Sequence, residues 1–104
     1  IKVLKNAKAV YTITDVFNGK LYIGSAYGND CLLNRWSSYV NNLTGGNVEL
    51  KKVLEEKGEK YIQTNFKYSI LEIFDTKTKQ EYILERENYW KNVFETKKFG
   101  MNRN

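Results

Sequence analysis

The chain has 104 residues, 41% hydrophobic and 28% charged, with 17 basic and 12 acidic side chains and a formal charge of +5. That length suits one domain with one core, the balance excludes wholesale disorder, and no apolar run approaches the ~20 residues that span a bilayer. Histidine is absent and cysteine occurs once, at Cys31, which excludes a serine triad, a Cys-His pair and a zinc cage of imidazoles or thiolates.

"KAVYTIT" (8–14) and "KLYIGSA" (20–26) are rich in β-branched and aromatic residues and read as two strands. Between them, Asn18-Gly19 is the strongest short-range hairpin signal, since both residues accept positive φ. A turn centred there sets Tyr22 opposite Asp15, so Tyr11 and Tyr22 emerge on one face, four residues or about 13 Å apart. A longer loop that shifts the register by two keeps the face and halves the distance; a one-residue slip separates the faces.

"NDCLLNRWSSYVNNL" has helical spacing through Leu32, Leu33, Trp36, Val40 and Leu43, with Asn29 or Asp30 as N-cap and Arg35 and Tyr39 four apart on one side. After Gly45-Gly46, Asn47 caps a second helix, "NVELKKVLEEKG", which stops at Gly58. "NFKYSILEIF" (65–74) reads as a third strand, continuously buried from Ser69 to Phe74. Thr78 to Glu81 forms a capping box for a last helix to about Glu95, followed by the tail "KKFGMNRN". The order β-β-α-α-β-α predicts an α+β fold with a small, largely antiparallel three-stranded sheet flanked by helices. No linker or repeat divides residues 1–104, so one domain is expected; a start at Ile1 rather than Met suits a piece of a longer protein.

With these exclusions, chemistry must rest on Tyr, Arg, Lys, Glu or Asp, with a hard cation that prefers oxygen ligands. The positive charge tilts partners toward polyanions, nucleic acid first, and the lone cysteine fits a reducing compartment. In the last helix, Ile83, Trp90 and Phe94 fall within an arc of ~40°, flanked by Tyr82, Tyr89 and Val93 on one side and Leu84 on the other. Glu87 lies inside this apolar stripe, where a carboxylate needs a cation, hydrogen bonds or a metal. A buried ion pair with Arg35 or Arg86 answers that need as well as catalysis does. Gly24 within a strand marks close backbone approach.

Taken together, these residues resemble the GIY-YIG nuclease domain. Ala9-Val10-Tyr11 stands for the Gly-Ile-Tyr motif, and Tyr22-Ile23-Gly24 repeats the second motif intact after ten intervening residues. Asn34-Arg35-Trp36 matches the family's arginine helix, and Glu85-Arg86-Glu87-Asn88-Tyr89-Trp90 its glutamate helix, closest to the phage and intron homing-endonuclease branch. Gly100-Met101-Asn102 resembles the Gly-Tyr-Asn that closes many members.

The resemblance implies a metal-dependent endonuclease acting on DNA, in a cytoplasmic, phage or mobile-element setting. Glu87 is then the sole protein ligand of a divalent cation, Mg²⁺ with Mn²⁺ as substitute, and Arg35 stabilises charge on the scissile phosphate. Tyr11 is the general base or water-orienting group, and Tyr22 supplies a second hydroxyl. Tyr39, Asn47, Asn102 and Gly24 are expected to meet the substrate. Affinity and sequence choice are expected from a separate DNA-binding region. Tyr39 and Asn47 stand where homing-type members often carry histidines, so neither position can protonate a leaving group as imidazolium. The alternative is a catalytically weak or inactive nucleic-acid-binding module on the same scaffold; a plain structural domain with Glu87 ion-paired is the third reading.

Overall fold

A computed structural model describes residues 8–27 and 48–102. Strands β1 (Lys8–Asp15) and β2 (Lys20–Ala26) form the hairpin, and β3 (Phe66–Phe74) pairs with the other side of β1; both pairings are antiparallel, in the order β2-β1-β3. Helices α1 (Val48–Lys57) and α2 (Glu59–Asn65) precede β3, and α3 (Gln80–Phe94) and the short α4 (Thr96–Phe99) follow it. This is the α+β fold with the three-stranded antiparallel sheet and element order read from the sequence, with α2 and α4 added. The helix expected around Arg35 and Tyr39, and the Asn47 cap, lie outside the described residues. Among the described residues, no helix is long and apolar enough to cross a membrane.

The central strand explains the layering. β1 is buried along most of its length because its side chains meet helices on both faces. Ala9, Tyr11 and Ile13 point to one side and pack with Ala26, Leu50 of α1, Ile62 of α2, Phe66 and Met101. Val10 points to the other and packs with Ile23 and Ile83 of α3. Apolar side chains at consecutive positions, Ala9-Val10-Tyr11, are what two covered faces require.

The tight Asn-Gly turn is not formed. Asp15 pairs with Lys20, leaving a four-residue loop. The Asp15 carbonyl accepts the N–H groups of Asn18 (3.3 Å) and Gly19 (2.8 Å), and its carboxylate accepts that of Phe17 at 3.1 Å. Asn18 Oδ1 accepts the Lys20 N–H at 3.0 Å, so only Gly19 takes a positive φ, +77°. These side-chain turns outcompete the two-residue turn. The register moves by two: Tyr11 faces Gly24 and Tyr22 faces Ile13. The tyrosines become diagonal neighbours on one face, about 7–8 Å apart.

Four further differences have physical causes. Residues 59–65 form a helix that seven residues are too few to announce by periodicity; Gly58, at φ +87°, breaks it from α1, and Ile62 anchors it. β3 is not continuously buried, because a bulge opposite Val10 and Tyr11 pairs them with Glu72 and Ile70. The extra residue turns both Leu71 and Glu72 toward α3 and leaves Ile73 exposed. The capping box is absent: Lys79 is the N-cap of α3, while the Thr78 carbonyl accepts Lys8 Nζ at 3.0 Å. Finally, α3 is rotated from its expected orientation, burying Ile83 and Lys91 while Tyr82, Tyr89, Val93 and Phe94 stay exposed.

The hairpin loop is tied to α2 by the Tyr61 hydroxyl, which donates to buried Asp15 at 2.6 Å, and by the Val16 N–H, which donates to the Asn65 carbonyl at 2.9 Å. The Asp15 bond, with burial and the carboxylate's charge behind it, pushes the Tyr61 phenol from 10.0 up to about 12. A group raised in the folded state stabilises fully below its unfolded value and loses that contribution as pH rises through the folded one. The stability difference between wild type and Tyr61→Phe is therefore expected to be constant below pH 10 and to vanish toward 12. Urea unfolding across that range measures it; a difference that does not shrink contradicts the bond.

Candidate active site

β2 is the strand on which the candidate groups converge, and its alternation sorts them. Tyr22 and Gly24 face α1 and α2, whereas Ile23 and Ser25 face α3. Tyr11, directly across from Gly24, has no exposed surface. A Cβ at Gly24 would lie 2.7 Å from both Cζ and Oη of Tyr11. The phenol therefore crosses β2 over the one position without a side chain, carrying its hydroxyl toward the outer edge of the strand. Tyr22 is half-buried beside it, against the same cluster.

Glu87 arrives from the opposite face. Its carboxylate accepts a short hydrogen bond from Ser25 Oγ at one oxygen and binds Lys91 Nζ at 2.8 Å through the other. Both side chains are largely covered, Lys91 at 7% exposure and Glu87 at 15%. Successive residues of β2, Gly24 and Ser25, thus hold the tyrosine and the glutamate from the two sides of the sheet. Tyr11 and Tyr22 share a face as expected; Glu87 is bound on the other.

Of the two arginines considered as partners for Glu87, the one described is committed elsewhere. Arg35 lies outside the described residues. Arg86 binds Glu72 through Nε and a terminal nitrogen, both at 2.7 Å, and Trp90 Nε1 donates to the same oxygen at 2.7 Å. Burial opposes the charge on Glu72, yet these donors outweigh it and hold the carboxyl below its ordinary range. The β3 bulge makes this possible by turning Glu72 to α3, and Arg86 also stacks 4.4 Å over Tyr89.

Asn102, expected to meet the substrate, is buried, with its carboxamide engaged by the backbone. It accepts the Ile23 N–H at 2.8 Å and donates to the Ile23 carbonyl at 2.9 Å, as a neighbouring strand would. Met101 N–H adds a bond to the Leu21 carbonyl at 2.8 Å, and a Cβ at Gly100 would meet that carbonyl at 2.3 Å. The Gly-Met-Asn tail thus closes the outer edge of β2 and fixes Ile23 between Tyr22 and Gly24. Tyr39 and Asn47 lie outside the described residues.

Ser25 and Lys91 were not singled out in the sequence. Each had a signal: Ser25 follows the Tyr-Ile-Gly motif on the alternate face, and Lys91 stands one helical turn beyond Glu87.

A family model described as the GIY-YIG catalytic domain matches residues 7–102. Among solved structures, a glutamate-to-alanine mutant of the catalytic domain of intron endonuclease I-TevI is similar at 26% identity, over 94% of each chain, with a TM-score of 0.73. The catalytic domain of homing endonuclease I-TevI is similar at 26% identity over 91% of this chain and 96% of that one, with a TM-score of 0.69. No curated protein matches.

Two substitutions test the geometry of β2. Gly24→Ala forces a methyl group into the Tyr11 ring and is expected to cost about 1–3 kcal/mol in urea unfolding. Asn102→Ala leaves the Ile23 N–H and carbonyl without their partner, for a loss of about 1–3 kcal/mol. Wild-type stability in either would contradict the placement.

Proposed function

We propose a division of labour among named residues, on the premise that this chain belongs to the GIY-YIG catalytic-domain family and is an endonuclease domain of that kind. The substrate is DNA and the reaction is hydrolysis of a phosphodiester bond. One observation carries the assignment: Glu87 is held against Ser25, beside the Gly24 that the Tyr11 ring crosses.

The donor set fits a hard cation. Glu87 offers carboxylate oxygen and Ser25 a hydroxyl, and no cluster of three or more His, Cys, Asp or Glu exists among the described residues. Such a site suits Mg²⁺, with Mn²⁺ as substitute, because Mg²⁺ keeps several waters and takes one or two carboxylates. Glu87 is its proposed ligand. When bound, the ion supplies Lewis-acid stabilisation of phosphate charge.

The chain's own residues do the rest. Arg35 contacts the scissile phosphate, where its fixed charge and fork of donors stabilise the developing negative charge. As the water oxygen bonds to phosphorus, the bond from phosphorus to the leaving oxygen breaks; the Tyr11 hydroxyl orients the water and relays its proton onward, and the leaving oxygen takes up a proton from solvent. Because Tyr11 is fully covered, this water is one enclosed by protein and substrate. Tyr22, less buried, supplies a second hydroxyl, while Tyr39 and Asn47 contact the phosphate backbone. Gly24 allows the phenol its close approach, and Asn102 positions Ile23. The charge of +5 steers DNA, with affinity and sequence choice assigned to a separate DNA-binding region. Lone Cys31 suits an intracellular setting.

The Lys91 bond to Glu87 favours one other reading, a nucleic-acid-binding module with little catalysis. Nicking of supercoiled plasmid separates the two. Wild type is expected to nick with Mg²⁺ or Mn²⁺, and Tyr11→Phe to lose about 10²–10⁴-fold in rate while folding normally by circular dichroism. Glu87→Gln, which keeps a polar partner for Lys91, is expected to lose metal-dependent nicking altogether. Binding without nicking by wild type establishes the inactive module; near-normal nicking by Tyr11→Phe removes Tyr11 from the mechanism.

A further inference from the structure

The cation already on Glu87 belongs to the protein. Lys91 Nζ lies 2.8 Å from one carboxylate oxygen and Ser25 Oγ bonds the other, so each oxygen has a donor. Most helix pairs of this spacing are solvated and contribute little. This one is not: Lys91 is 6% exposed, in a face otherwise filled by Ile83 and Trp90. A buried carboxylate without a counter-charge is strongly unfavourable. The ammonium supplies that charge, and it does so at the atoms a divalent cation needs.

We propose that Lys91 is a built-in competitor for the divalent cation at Glu87. The ammonium neutralises and orients the carboxylate when no metal is bound, and it must leave the carboxylate oxygen for the metal to load. Two cations on one small carboxylate repel, so metal affinity in the absence of DNA is held down by the lysine. The exchange replaces a single positive charge with a double one, so Glu87 is neutralised before loading and its site carries one net positive charge after it. The competition is specific to the i, i+4 lysine, because Arg86, the other basic residue nearby on α3, is bound to Glu72. This inference rests on Glu87 being the metal's carboxylate.

Mn²⁺ binding to DNA-free protein, followed by electron paramagnetic resonance, reads the competition directly. Lys91→Gln and Lys91→Met are both made, so that one poorly folding variant does not decide the outcome. Either is expected to bind Mn²⁺ roughly tenfold more tightly than wild type, the effect of losing one adjacent positive charge. Adding Glu87→Gln should abolish the gain. Metal-free Lys91→Gln should also melt below wild type, with Mn²⁺ narrowing the gap. Equal Mn²⁺ affinity in wild type and both lysine variants, with binding still lost in Glu87→Gln, overturns the competitor and leaves Glu87 as the ligand. A gain that survives Glu87→Gln overturns both.

Discussion

Tyr11 stands opposite Gly24 because the hairpin loop has four residues, and nearly every other position in the candidate site follows from that pairing. A register displaced by two would face the phenol with a different residue of β2 and put a side chain beneath its ring. A register displaced by one would send Tyr22 and Gly24 to the α3 face and Ser25 away from Glu87. The loop is set by two short side chains, Asp15 and Asn18, acting on backbone N–H groups. Asp15 is in turn held by Tyr61, so the register is coupled to the docking of α2. The tail contributes from the other edge, where Asn102 takes both polar groups of Ile23.

Polar groups on the inner face of α3 obey a second constraint. Two carboxylates, Glu72 and Glu87, are brought there, one from β3 and one from α3 itself. Each has its own cation, Arg86 for Glu72 and Lys91 for Glu87, so neither is a buried uncompensated charge. Arg86 engages its oxygen through two nitrogens, with Trp90 as a third donor, which makes a fixed structural clamp. Lys91 meets its oxygen as a point charge on a flexible stem, without the planar fork of a guanidinium. The difference between guanidinium and ammonium therefore separates a structural pair from one that can open.

Much of this was legible in the residues because it depends on period and parity. The bounds of β2, the shared face of Tyr11 and Tyr22, the stop at Gly58 and the inward placement of Glu87 follow from alternation, turn chemistry and helical phase. What was not legible depends on contacts distant in sequence. Asn-Gly invites a two-residue turn, but Asp15 and Asn18 bond the loop backbone in another way, and Tyr61, 46 residues beyond Asp15, holds the result. The bulge in β3 cannot be read from "SILEIF", since what it achieves is a meeting of Glu72 with Arg86 and Trp90. Thr78 satisfies the capping-box pattern, yet its carbonyl meets Lys8 and the helix starts at another residue. The phase of α3 differs from the one its aromatic flank suggests, because Tyr82 and Tyr89 carry hydroxyls that tolerate water while the Lys91 ammonium is satisfied by Glu87 and its stem packs inward.

A site with one carboxylate has a thermodynamic consequence. On the proposed assignment, most of the cation's ligands come from water and from the phosphate, so metal and DNA each improve the other's binding by the same factor. An ammonium resting on the carboxylate strengthens this coupling. It makes loading unfavourable when no phosphate is present and leaves a freed positive charge close to where the phosphate arrives. A domain organised in this way holds its metal weakly in isolation and firmly on DNA, which confines the hydrolytic state to the substrate complex. The same four-residue loop that sets Tyr11 over Gly24 places Ser25 under Glu87, so the hydroxyl proposed to act on the water and the carboxylate proposed to hold the metal are kept in register by a single strand.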